Sequence, residues 1–375
     1  MTDTLIVKRG GVRTVWLDNL KAIAIILMVL GHSGAPFTHW IFLFHMAVFY
    51  IAAGYTWNNK HVKSRETLGS YLLNKVKTLY VPFILCNILF LLLNNFFVTT
   101  GIYVSSEEDL QLIGANKVSQ VHTMMTPQMM VKPLVKIFLL MGGTELGGPT
   151  WFFGSLFLSL CIFAIIEYVA NRLLKGNQTN VRIFEGIIAV FSVMIAWLIS
   201  EDRIGFLMFN RSFAAYPLLV VGKNLKIWDK QINWKPFLCL VVCLLAFAIL
   251  YVMNNFGSIS MARCKIENPL YFLIVSMAGW YFLASISRLI PATRLAKLGA
   301  STRSVVMWHF ASMKLVTLAY IFIMGLPMVY LGAFPYLSNT PSWMWIVYTT
   351  VGILMPVLLG VIYDKVKERM IKQNG

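Results

Sequence analysis

Long apolar runs alternate along the chain with short connections that are mostly basic. Ten of the runs are long enough to cross a bilayer as a helix, which takes about 20 residues. They cover 17–35, 38–57, 79–98, 150–170, 183–200, 205–222, 236–253, 269–289, 304–325 and 343–363. The pattern predicts an all-α polytopic membrane protein of about ten transmembrane helices. Several runs carry polar interruptions, among them Asp18 and Lys21 in the first and Arg211 and Pro217 in the sixth. Such residues are expected to face the protein interior rather than lipid, because hydrocarbon solvates charge poorly. Composition points the same way. Charged residues make up 13% of the chain, where a water-soluble domain carries roughly 25%.

The net charge of +17 would fit a nucleic-acid partner if the basic residues formed one face. They lie instead between the apolar runs, where they report topology, and no nucleic acid is expected. With the N-terminus inside, 23 of the 32 lysines and arginines fall in cytoplasmic segments. Six (Lys117, Lys132, Lys136, Arg203, Arg263 and Lys265) fall outside, and Lys21, Arg211 and Lys314 lie within spans. This asymmetry predicts that both termini are cytoplasmic. The expected organisation is a cytoplasmic segment 1–16, a membrane domain 17–363 with an extracytoplasmic loop at about 99–149, and a cytoplasmic tail 364–375. The first run leads to Gly31-His32-Ser33-Gly34 rather than a small-x-small cleavage site, so it is expected to stay as a helix. The glycine-rich stretch Gly142–Pro149 reads as a flexible loop, with a dip back into the protein as the alternative.

The first helix carries the most chemistry. Lys21 and His32 are eleven positions apart, three turns plus roughly 20°, and therefore share one stripe. Asp18 precedes Lys21 by three residues and shares it too. The rise between Lys21 and His32 is about 16 Å, so Lys21 belongs near the cytoplasmic boundary and His32 near the outer one. His45, in the second span, is expected at a comparable depth, and Gly54 should let another helix approach closely. Glu167 and Glu185 fall at cytoplasmic helix ends and are expected to be solvated. Lys314 is expected to pair with an acid or to snorkel. Trp343, Trp345 and Tyr348 read as an interfacial belt. Five cysteines show no metal-ligand spacing, so neither a metal nor a disulfide framework is expected.

Several blocks resemble the acyltransferase-3 family of membrane proteins, most closely its fucose 4-O-acetylase-like branch. They are Trp16-Leu17-Asp18-Asn19-Leu20-Lys21 through Gly31-His32, Phe44-His45-Met46, and the basic stretch Tyr71–Phe83 with Lys75 and Lys77. Gly148-Pro149-Thr150-Trp151-Phe152-Phe153 and Leu298-Gly299-Ala300-Ser301-Thr302 through His309 follow in order. Lys21 stands where the wider family usually has arginine, and Ala47 where it often has proline.

The resemblance implies transfer of an acyl group to a hydroxyl of an extracytoplasmic glycan or lipid-linked sugar. The donor it implies is acetyl-CoA, used as a co-substrate without a metal, at a bacterial inner membrane. His32 and His45 are then the catalytic candidates. Lys21, Lys75, Lys77 and His309 are the donor-binding candidates on the cytoplasmic side. Trp151, Glu145 and Arg211 are the acceptor-side candidates, with Asp18 orienting. His32 can serve as a general base or carry the acyl group covalently, and His45 or Trp151 can orient it or stabilise the oxyanion. The competing class is a glycan or small-molecule exporter, which commonly shows paired repeats with broken helices; no such repeat is visible.

The charge asymmetry makes a direct prediction. Reporter fusions at Gly375 and within residues 58–78 should both read as cytoplasmic; an outside reading at either overturns the ten-span order.

Overall fold

The computed structural model describes residues 5–8, 11–114, 120–200, 207–291 and 293–373. Arg9, Lys117 and Arg203, used above for topology, lie outside the described residues. In chain order the helices are α1 (Val15–Gly31), α2 (Thr38–Phe42), α3 (His45–Tyr55), α4 (Arg65–Lys75), α5 (Val81–Leu92), α6 (Asn94–Thr99), α7 (Glu107–Leu112) and α8 (Pro127–Phe138). They continue as α9 (Trp151–Leu173), α10 (Gln178–Leu198), α11 (Leu207–Asp229), α12 (Pro236–Met253), α13 (Pro269–Leu289), α14 (Thr293–Ala300), α15 (Thr302–Met324) and α16 (Met344–Gln373). Two short antiparallel ribbons, Leu5–Lys8 with Gly11–Thr14 and Ile259–Ser260 with Lys265–Ile266, are the strands among the described residues.

Among the described residues, each predicted span falls mostly on helix. Eight helical stretches among the described residues are long and apolar enough to cross a membrane, and the fold is all-α and polytopic. The other two predicted spans are α1, of 17 residues, and α11, which carries Arg211, Lys223, Lys226 and Asp229. Helix ends follow local chemistry. Asn268 accepts from the Leu270 and Tyr271 amides ahead of Pro269, and Asn177 caps α10 in the same way. Each satisfies amides that a helix start leaves without an internal partner. Ser64 and Thr67 cap α4 reciprocally, and Gly325 ends α15 at φ +62°, a backbone conformation that costs glycine little.

The chain forms two compact units. The first comprises 1–24, 39–84 and 151–296, and the second 25–38, 85–150 and 297–375. In the first unit α3 packs against α11 at reciprocal glycines. A Cβ on Gly54 would lie 2.1 Å from the Leu219 carbonyl oxygen, and one on Gly222 would lie 2.0 Å from that of Ile51. The close approach expected at Gly54 is therefore present, and either alanine substitution would force the helices apart. α13 reaches the same helix through Gly279, against the Phe44 side chain.

Contrary to the sequence expectation, Glu167 and Glu185 are not solvated. Both are completely buried, and Lys223 of α11 donates to Glu167 Oε2 and to both oxygens of Glu185 at 2.9 and 2.8 Å. Three helices are thus tied by one ammonium. Carboxylates near a helix end look solvated in sequence; packing of α9, α10 and α11 removes the water, and the lysine replaces it. A second cation, Arg288, lies between the Trp16 and Trp234 rings, 3.8 and 4.4 Å from their centroids, and bonds Asp229 at 2.5 Å.

In the second unit α16 lies along α15. Ser304 donates to the Pro356 carbonyl, and Thr317 and Tyr348 share a hydrogen bond of 2.9 Å. Tyr348 is fully buried rather than part of an interfacial belt, because its hydroxyl also accepts the Leu337 amide.

Lys223→Met should leave two buried carboxylates facing each other without their counter-ion, a loss of about 3–5 kcal/mol. Thermal unfolding of the detergent-solubilised protein should show it as a clearly lowered midpoint; an unchanged midpoint would show that the triad does not hold the three helices.

Candidate active site

α1 ends at Gly31, and His32 follows in the turn Gly31–Gly34. The turn is fixed by Ser33, whose hydroxyl bonds the Leu30 carbonyl and accepts from Thr349 of α16 at 2.9 Å. The His32 ring stacks on that of His309, centroids 5.6 Å apart and planes 27° apart. It also meets the edge of Phe310 at 5.0 Å. His309 is completely buried. Its Nδ1 donates to the Val305 carbonyl at 2.8 Å, since that oxygen can only accept. The proton therefore sits on Nδ1 in the neutral ring, and the lone pair on Nε2. Nε2 is buried with no hydrogen-bond partner among the described residues.

Aromatic and glycine-rich segments wall this pair. Phe310 meets His309 at 4.5 Å and Phe334 at 4.7 Å. A Cβ on Gly148 would touch Phe310 at 3.6 Å. The glycine-rich stretch is thus not a free loop; it dips into the second unit, with Leu146, Pro149 and Thr150 buried. Asn87 of α5 holds it there. Its Oδ1 accepts from the Thr144 amide and hydroxyl at 2.8 and 3.1 Å, and its Nδ2 donates to Thr150 at 2.8 Å. Side chains at Gly143 and Gly147 would collide with that amide. An asparagine inside an apolar span is costly unless bonded, and that was the sequence signal for the dip.

His309 requires a correction. The sequence places it on the cytoplasmic side, away from His32 near the outer boundary, yet ring stacking puts the two at one depth. α1 runs its full 17 residues before reaching His32, whereas α15 reaches the same level within about two turns of its start. Counting residues from helix starts fails when the starts lie at different levels.

The other predicted residues divide between the units. In the second unit Glu145 bonds His122 Nε2 at 3.1 Å, and the His122 ring stacks on Tyr103 at 4.1 Å. His122 has no local sequence signal; its partner is 23 residues away. In the first unit Lys21 pairs with Asp18 at 3.7 Å, as their spacing implies. His45 opens α3, and its Nδ1 donates to Ile41 across the break between α2 and α3 at 2.9 Å. Arg211 lies over Trp151 at 4.6 Å and directs Nε and Nη2 to the Ala262 carbonyl. Lys75 lies over the Tyr71 ring at 4.8 Å, and His61 packs on the same ring at 4.7 Å. Burial, then the charges of Lys60, Lys75 and Lys226, lower the His61 pKa, which keeps that imidazole neutral among cations. Lys77 is exposed on the π-helical turn Val76–Tyr80.

A family model described as an acyltransferase domain matches residues 14–364. The chain belongs to the acyltransferase-3 family. No curated protein and no solved structure matches it. The match takes in all ten predicted spans and both histidines of the stacked pair, so the protein is a multi-pass membrane acyltransferase.

Proposed function

We propose that the protein moves an acetyl group from cytoplasmic acetyl-CoA to a hydroxyl of an extracytoplasmic glycan or lipid-linked sugar, as in the fucose 4-O-acetylase-like branch. The observation that carries the reading is the stacked His32–His309 pair in an aromatic wall at the end of α1. Apolar walls favour neutral imidazole, the form that accepts a proton. In the proposed reaction His32 removes the hydroxyl proton as the oxygen attacks the thioester carbonyl. The carbon–sulfur bond then breaks, and the coenzyme A thiolate takes the proton from the imidazolium. The products are an ester and a free thiol, and no net proton is released. His309, with its tautomer fixed through Val305, supports His32 from the opposite face of the pair and borders the path of the thioester arm.

For the donor, Lys21, Lys75 and Lys77 supply positive charge on the side that the charge asymmetry makes cytoplasmic. The Tyr71–Lys75–His61 cluster adds an aromatic face beside that charge. Lysines act as point charges without the guanidinium fork, so phosphate groups are shared among them. Trp151, Glu145 and Arg211 are the acceptor-side residues of this reading, and Asp18 holds Lys21.

Two measurements test it. Replacing Lys75 and Lys77 together with glutamine should weaken acetyl-CoA binding to the purified protein, and raised salt should mimic the change at the exposed Lys77. Unchanged affinity removes both from the donor site. His32→Gln keeps size and polarity but cannot act as a base. It should lower acetyl transfer by about 10² to 10⁴ at normal protein level, read by mass spectrometry of surface glycans. Near-normal acetylation would restrict His32 to a packing role.

A further inference from the structure

Lys314 sits in the middle of α15, one turn beyond His309 and Phe310, with 5% of its surface exposed. It does not snorkel, and although the Glu145 carboxylate acts on it electrostatically, its hydrogen bonds go elsewhere. Its ammonium hydrogens go to three main-chain carbonyls: Ile102 at 3.1 Å, Leu331 at 2.8 Å and Ala333 at 2.9 Å. A lysine ammonium has three donors, so its capacity is filled. These carbonyls belong to two segments far apart in sequence, one in the 99–149 loop and one between α15 and α16. The second continues directly into Phe334, whose ring lies 5.6 Å from the ammonium. Phe334 meets Phe310, and Phe310 meets both His32 and His309. Carbonyl dipoles converging on one cation hold a loop more firmly than apolar contact does, because in a dry interior the ammonium depends on such partners for its solvation.

We propose that Lys314 is a positioning residue that holds Phe334 as a wall over the His32–His309 pair, on the side to which α15 runs on toward Met324. By the charge asymmetry that side is extracytoplasmic, so an acceptor hydroxyl bound for His32 passes Phe334, and this wall selects acceptors by size. The consequence for acceptors rests on the acyl-transfer reading. The wall itself does not.

Carbethoxylation of histidines by diethyl pyrocarbonate separates the two. His309 is a sensitive reporter: its Nε2 carries the lone pair and no partner, so only access protects it. The purified full chain is labelled, and the modified histidines are quantified by peptide mass spectrometry. Lys314→Met keeps the bulk but removes the ammonium, and should speed labelling of His309 by about tenfold or more, the equivalent of losing one hydrogen bond to a charged group. Lys314→Arg keeps charge and donors and should stay close to the wild type. Phe334→Ala removes the wall with the clamp intact and should expose His309 as Lys314→Met does. His45, also buried but in the first unit, should stay protected throughout. Unchanged His309 labelling in Lys314→Met or in Phe334→Ala overturns the proposal. So does equal acceleration at His45, which would mean general loosening. If Lys314→Met does not accumulate, Lys314→Gln, which keeps an amide donor without the charge, takes its place with the same expected acceleration at His309 and the same overturning result. None of these results depends on acetyl transfer, so a failure of that reading would leave them standing.

Discussion

Desolvation of positive charge is the constraint from which most of this structure follows. Hydrocarbon offers nothing to solvate a cation, so each one inside the membrane domain must find its partners in the protein. Besides Arg288 between its two indoles, three solutions are seen among the described residues. Lys223 is satisfied by two carboxylates, Lys314 by three carbonyls, and Arg211 by one carbonyl and an indole face. In each case the partners come from separate segments. The cation therefore acts as a cross-link, and removing it leaves several groups unsatisfied at once.

The same constraint shapes the stacked histidines. The two rings meet each other and Phe310, and His309 bonds the Val305 carbonyl. An apolar wall holds an imidazole in its neutral form, the useful state for a base. The Val305 carbonyl fixes which nitrogen of His309 keeps its proton, and the Ser33–Thr349 bond fixes the turn that presents His32. Orientation is thus set by main-chain and hydroxyl groups, which add no charge to the site.

Asn87 extends the same logic to the glycine-rich segment. Its amide supplies the acceptor and donor that the dipping backbone and its threonines need, and the glycines allow the approach. The segment lies against Phe310 as a result. A glycine-rich loop becomes part of the wall of the site because one polar side chain of a helix, Asn87, bonds it there.

The sequence alone determined the class of fold, the helical character of the apolar runs, the Asp18–Lys21 pair, the closeness of another helix at Gly54 and the family. These follow from periodicity, hydropathy and short-range spacing, which the chain carries locally. It could not show that His309 meets His32, that Glu145 meets His122, or that Glu167 and Glu185 are buried on Lys223. Nor could it show that Lys314 is held by carbonyls. Each of those contacts joins residues whose helices start at different depths or whose connecting loops fold back. Depth and burial are properties of packing, and no local stretch of sequence encodes them; tertiary structure decides which polar group meets which.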